Sequence, residues 1–131
     1  MLTPKKILLV EDDHDDRRTF SDAMARIDNS LEIIIAENGA AALDVLHRCN
    51  PLPEAIFVDI NMPVMNGIEC LQQIKKNALW FNIPVFVIST SAATRARDNA
   101  LLAGAEAYIV KPSRFEGFVE ELAFCLNGTW N

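Results

Sequence analysis

Five short apolar runs punctuate the chain: KILLV at 6–10, LEIIIA at 31–36, AIFV at 55–58, PVFVI at 84–88 and AYIV at 107–110. They are rich in β-branched and aromatic residues and nearly continuous, the pattern of strands buried on both faces. Between them the spacing becomes helical. Phe20, Ala23, Met24 and Ile27 fall at i, i+3, i+4, i+7, and Gly39, Ala42, Leu43 and Leu46 mark a second face. Ile68, Leu71, Ile74 and Ala78 make a looser stripe, and Phe115, Phe118, Val119, Leu122 and Leu126 the clearest. The segment 92–104 is mostly alanine and polar residues. Its stripe is the weakest, so its helix is expected to be among the more mobile. Strands alternating with helices predict right-handed crossovers, a parallel sheet and helices on both faces. The breakers agree. Asn50-Pro51-Leu52-Pro53 separates helix from strand, Pro84 opens a strand and Gly104 ends a helix.

The bulk numbers narrow the partners. A length of 131 residues suits one domain, and 50% hydrophobic residues suffice for a substantial core. The expected layout is a single domain over 1–131, with its core at about 5–126 and no effector domain. A net charge of −6 argues against nucleic acid or an anionic membrane as the main partner. No signal-like segment or membrane-length apolar run is found, so a cytoplasmic location is expected. Cys49, Cys70 and Cys125 lack metal-site or paired spacing and read as reduced thiols. His14 and His47 read as surface helix residues.

In open α/β sheets chemistry collects beyond the carboxyl ends of the strands. After the first run come Glu11 and Asp12, with Asp13 behind them. Asp59 follows the third, Ser89 the fourth and Lys111 the fifth. A dinucleotide site is excluded, because it needs a glycine-rich turn where this chain has acids. Clustered carboxylates suit a hard divalent cation such as Mg²⁺. A lysine and a hydroxyl beside it suit phosphate oxygens, and an aspartate can serve as a nucleophile toward phosphorus.

These pieces carry a family likeness. With the acids after ILLV, the stretch VDINMPVMNG, Ser89 after PVFVI and the stretch YIVKP, the chain resembles the receiver domain of two-component response regulators over essentially its whole length. The look is nearest to the stand-alone, single-domain type. The resemblance implies a doubly wound (βα)5, flavodoxin-like, three-layer α/β fold with strand order 2-1-3-4-5. It implies Asp59 as phospho-acceptor and Glu11 and Asp12 as the acidic pair that holds Mg²⁺. Asn61 would complete the metal shell through its backbone carbonyl. Ser89 takes the switch-hydroxyl position, Lys111 the phosphoryl-contacting lysine and Tyr108 the switch aromatic. The bond Lys111–Pro112 would be cis. Two departures stand out: Glu11 where the family often has Asp, and Thr90 after Ser89 where a small alanine is common.

The implied function is that of a signalling domain, not an enzyme with a metabolite substrate. It would take a phosphoryl group from a histidine kinase or a phosphotransfer protein, switch the surface of the fourth helix, fifth strand and fifth helix, and pass the signal to a protein partner. Direct DNA binding is not expected. The main alternative is a degenerate receiver acting as a phosphorylation-independent binding module. A haloacid-dehalogenase-type phosphatase ranks below it, since that chemistry needs a second aspartate at position 61. Asp13, Asp15 and Asp16 are assigned to the start of the first helix, where the dipole favours negative charge, with Asp13 as N-cap and Arg17 and Arg18 offsetting the charge. Trp80 and Phe81 are expected to be partly buried, and Trp130 to pack back or to support dimerisation. The loop Met62–Gly67 reads as the turn into the third helix.

Overall fold

The computed structural model describes residues 5–60 and 66–130, the side chains of Thr129 and Trp130 excepted. The strands are β1 (Lys6–Val10), β2 (Glu32–Ala36), β3 (Ala55–Asp59), β4 (Val85–Ser89) and β5 (Ala107–Val110). The helices are α1 (His14–Ile27), α2 (Gly39–Arg48), α3 (Gly67–Lys76), α4 (Thr94–Leu102) and α5 (Phe115–Trp130). All four strand pairings are parallel, in the order β2-β1-β3-β4-β5. Fold class and strand order are those the family resemblance implied.

Alternate strand residues feed two cores. Leu8, Val10, Ile56, Val58, Val85 and Val87 pack with Ala42 and Leu46 of α2 and with Leu71 and Ile74 of α3. Ile7, Leu9, Phe57, Phe86 and Ile88 pack with Phe20 and Met24 of α1 and with Phe118 and Leu122 of α5. The sheet is therefore buried on both sides through its three central strands. β2 departs from the expectation. As an edge strand it is only partly covered, and Ile35 is 42% exposed.

Asp13, Asn38 and Asn66 cap α1, α2 and α3, each side chain accepting a backbone N–H from the first turn. α4 has no such cap and buries only Ala100, in line with its weak stripe. It gives way to Gly104 at φ +113°, a left-handed position suited to glycine. Ala78 lies beyond the end of α3 rather than on its stripe. α5 runs on through Gly128 to Trp130, absorbing most of the tail. Trp80 is fully buried, its ring edge-on to His47 at 4.7 Å between centroids, while Phe81 is half exposed. The three cysteines are free thiols. Residues 62–65 of the Met62–Gly67 turn and the Trp130 side chain lie outside the described residues, while Asn66 caps α3 and Gly67 begins it.

Candidate functional site

Register decides which side chains meet. Val10 pairs with Val58, Asp59 with Ile88, and Ser89 with Val110. The residue after each of these strands therefore emerges on one edge. Glu11 N–H donates to the Ala36 carbonyl at 2.9 Å and Lys111 N–H to the Ser89 carbonyl at 2.8 Å, extending the ladder into the loops. Glu11, Asp59 and Ser89 are buried and Asp12 is exposed.

Glu11, Asp12 and Asp59 each bring a carboxylate oxygen within 4.8 Å of the others. Three acids this close repel one another. Burial, together with the hydrogen bond and charge of Asp59, pushes the Glu11 carboxyl up to about 8. Lys111 and the Asp13 N–H, 3.4 Å from Glu11 Oε2, pull the other way without prevailing. A divalent cation relieves such a cluster, and an all-oxygen donor set of carboxylates fits a hard ion of the Mg²⁺ type. Asn61, expected to add a carbonyl, lies outside the described residues.

Lys111 enters from the end of β5. Its Nζ is 3.6 Å from Glu11 Oε1 and donates to Asp16 Oδ2 at 2.7 Å. Burial alone would lower its pKa, but Asp16, Glu11 and Asp59 together raise it, so it stays a cation. The expected cis bond before Pro112 is not found. Lys111 reaches the acids with that bond trans, and Asn50–Pro51 is the cis bond among the described residues.

The Ser89 hydroxyl accepts the Ser91 N–H at 3.0 Å, and the Tyr108 hydroxyl donates to the Ser91 carbonyl at 2.7 Å. Ser91 thus ties the end of β4 to a buried tyrosine on β5. Thr90 is exposed. The departure at that position leaves the buried hydroxyl to Ser89.

Two residues do more than the sequence reading gave them. Arg17 donates through Nε to the Glu11 carbonyl at 2.8 Å, so it clamps the acidic loop as well as offsetting its charge. Asp16 meets Lys111 across 95 positions of sequence, a contact that no local pattern signals. Gly67, the first residue of α3, sits on the backbone of Asp59 and Ile60. A Cβ there would lie 2.4 Å from Ile60 Cα and 2.6 Å from the Asp59 carbonyl oxygen.

Comparison with known proteins agrees with this layout. Residues 7–123 match the family model of the response regulator receiver domain. The chain is 31% identical over 107 residues to a chemotaxis protein CheY homolog of Campylobacter jejuni, covering 82% of this chain and 81% of that protein. It superposes on the crystal structure of the phosphorylated cyanobacterial phytochrome response regulator RcpA with a TM-score of 0.84 at 27% identity, covering 94% and 91% of the two chains. The Mn²⁺-bound form of response regulator Rcp1 gives a TM-score of 0.79 at 30% identity, covering 92% and 91%.

Proposed function

The chain belongs to the response regulator receiver domain family, and from that premise we propose that it takes a phosphoryl group on Asp59 from a phosphohistidine donor, with Mg²⁺, and relays the change to a protein partner. One observation carries this reading: three carboxylates from β1–α1 and β3 converge within 4.8 Å, and the Lys111 ammonium lies 3.6 Å from one of them.

Glu11, Asp12 and Asp59 would hold Mg²⁺ through carboxylate oxygens. When bound, the ion supplies positive charge that offsets repulsion between the carboxylates and the incoming phosphoryl group. An Asp59 oxygen forms the new bond to phosphorus, and the phosphorus–nitrogen bond of the donor breaks. Its electron pair stays with the imidazole, which takes a proton. Lys111 and the Ser89 hydroxyl bind the other phosphoryl oxygens. Later attack by water on phosphorus releases inorganic phosphate and restores the carboxylate.

The same geometry supports an output route. A Ser89 hydroxyl that turns to a phosphoryl oxygen gives up the Ser91 N–H. Ser91 is also the residue that holds the Tyr108 hydroxyl, so the change reaches β5 and the start of α4. Phosphorylation then shifts the population of two packings of this face rather than creating a new one. The kinase or phosphotransfer donor and the downstream partner are protein surfaces, consistent with the acidic net charge of −6.

Intact mass after incubation with a small phosphodonor and Mg²⁺ tests the proposal. One labile phosphoryl addition is expected, absent in Asp59→Asn and absent when Mg²⁺ is chelated. A protein that stays unmodified in the presence of donor and Mg²⁺ is a binding module only, and steady phosphate release from many phosphate esters marks an enzyme.

A further inference from the structure

Asp16 is the unexpected member of the site. It lies in the first turn of α1, where its backbone N–H donates to the capping Asp13 side chain at 2.8 Å. The cap fixes where the Asp16 carboxylate stands. From there Oδ2 takes the Lys111 ammonium at 2.7 Å, the length of a charge-assisted hydrogen bond. Glu11 Oε1, on the side of the acidic cluster, is 3.6 Å away, close enough to attract but too far to bond. The ammonium is thus drawn to the α1 side of its surroundings.

The pair is not locked into the core. Lys111, Asp16 and Glu11 border a cavity of about 340 Å³ whose other walls include Thr19, Phe20 and Phe118. The Lys111 side chain is 21% exposed and that of Asp16 42% exposed. The ammonium therefore stands at the rim of open space between α1 and α5 rather than packed into the core.

We propose that Asp16 is a positioning residue that seats the Lys111 ammonium in the resting protein, and that a phosphoryl group on Asp59 must draw the ammonium off this seat. The inference rests on the receiver reading above and adds to it a competitor built into α1. Two anions share one cation, so whatever Asp16 contributes to the resting state is subtracted from the affinity for the phosphoryl group. A partly exposed ion pair is worth a factor of about two to five in an equilibrium constant. Asp16 thereby sets the resting bias of the switch without touching the phosphoryl group.

The test uses beryllium fluoride as the phosphoryl mimic, at saturating Mg²⁺, with affinity read by titration calorimetry. Asp16→Asn and Asp16→Ser are compared with Asp15→Asn. Asp15 is one residue away, exposed and without an ion pair among the described residues, so its variant removes the same charge but leaves Lys111 held. Both Asp16 variants are expected to bind the mimic about two- to fivefold more tightly than Asp15→Asn. In the metal-free, mimic-free protein the Lys111 ¹⁵Nζ resonance is expected to move in the Asp16 variants and to stay in place in Asp15→Asn. A merely structural role predicts weaker binding or no change, and either result, with the wild-type protein binding normally, overturns the inference alone. A wild-type protein that does not take the mimic overturns the receiver reading and this inference with it.

Discussion

Replacing Gly67 by alanine tests whether the start of α3 holds the end of β3, with Asp59, in place. The added methyl group would stand 2.4 Å from Ile60 Cα, 2.6 Å from the Asp59 carbonyl oxygen and 2.9 Å from Ile60 N. All three are backbone atoms, so no side chain can turn aside. Either α3 or the end of β3 must move by about 1 Å to reach ordinary contact distance. Overpacking of this kind costs about 1–3 kcal/mol. Alanine returns up to about 1 kcal/mol through lower unfolded-state entropy. The net loss is then about 0–3 kcal/mol, with a midpoint of about 1.5, which for a domain of this size lowers Tm by roughly 5 °C. Part of the strain falls on Asp59 itself, so Mg²⁺ affinity is expected to drop several-fold. Gly117→Ala is the control. Its Cβ would meet Pro112 at 3.5 Å, an ordinary contact, so no loss of stability is expected. Thermal melts and Mg²⁺ titrations of both variants decide the matter. If Gly67→Ala melts at or above the wild-type temperature and binds Mg²⁺ equally well, the close approach of α3 to Asp59 is not a constraint and the reasoning fails.

Three further outcomes follow from single contacts. Glu11, with an ordinary value of 4.5, is pushed up to about 8 in the folded metal-free protein. The stability it contributes is present below about pH 4.5 and lost as pH rises through about 8. Metal-free Glu11→Gln should therefore gain on the wild type between pH 6 and pH 9 in thermal melts, and a pH-independent gap would contradict the burial of an ionisable acid. Tyr108→Phe removes the 2.7 Å bond to the Ser91 carbonyl. It should cost about 0.5–1.5 kcal/mol in denaturant unfolding, and an unchanged midpoint would show that the hydroxyl is not holding the loop. In hydrogen exchange the amides of α4, uncapped and burying only Ala100, should exchange faster than those of α5 around Phe118 and Leu122. Equal protection of the two helices would count against a loosely held α4.

The strands were legible because a parallel sheet covered on both faces needs continuous apolar runs, and the five runs rich in β-branched residues are the strands. The edge that carries the candidate site was legible for the same reason. Once the runs are parallel, Glu11, Asp59, Ser89 and Lys111 must leave the sheet on one side, whatever lies between them in sequence. What local pattern does not encode is lateral order. The run LEIIIA looks as buried as the others, yet β2 is an edge strand and leaves Ile35 exposed. Trp80 was equally opaque. It lies in the turn after α3 and joins the core on the α2–α3 side, with the His47 ring of α2 edge-on to it, contacts made only through the tertiary fold. α5 runs past Leu126, the last residue of its apolar stripe, and through Gly128, since a single glycine costs a helix only about 1 kcal/mol.

The acids at 11–16 show where composition stops and geometry begins. Counted as charges, Glu11, Asp12, Asp13, Asp15 and Asp16 form one repulsive block. In three dimensions they face different partners. Glu11 and Asp12 turn toward Asp59, Asp13 spends its carboxylate on the Asp16 N–H, and Asp16 reaches the ammonium of Lys111. Arg17 closes the loop from below by taking the Glu11 carbonyl. The cap and the ion pair are linked, because the residue whose N–H is capped is the residue whose carboxylate seats the lysine. Shortening or lengthening this turn by one residue would rotate the Asp16 side chain by about 100° around α1 and separate it from Lys111. The spacing from Asp13 to Asp16 therefore serves helix initiation and the site together, which explains why acids crowd a stretch where charge alone would disfavour them.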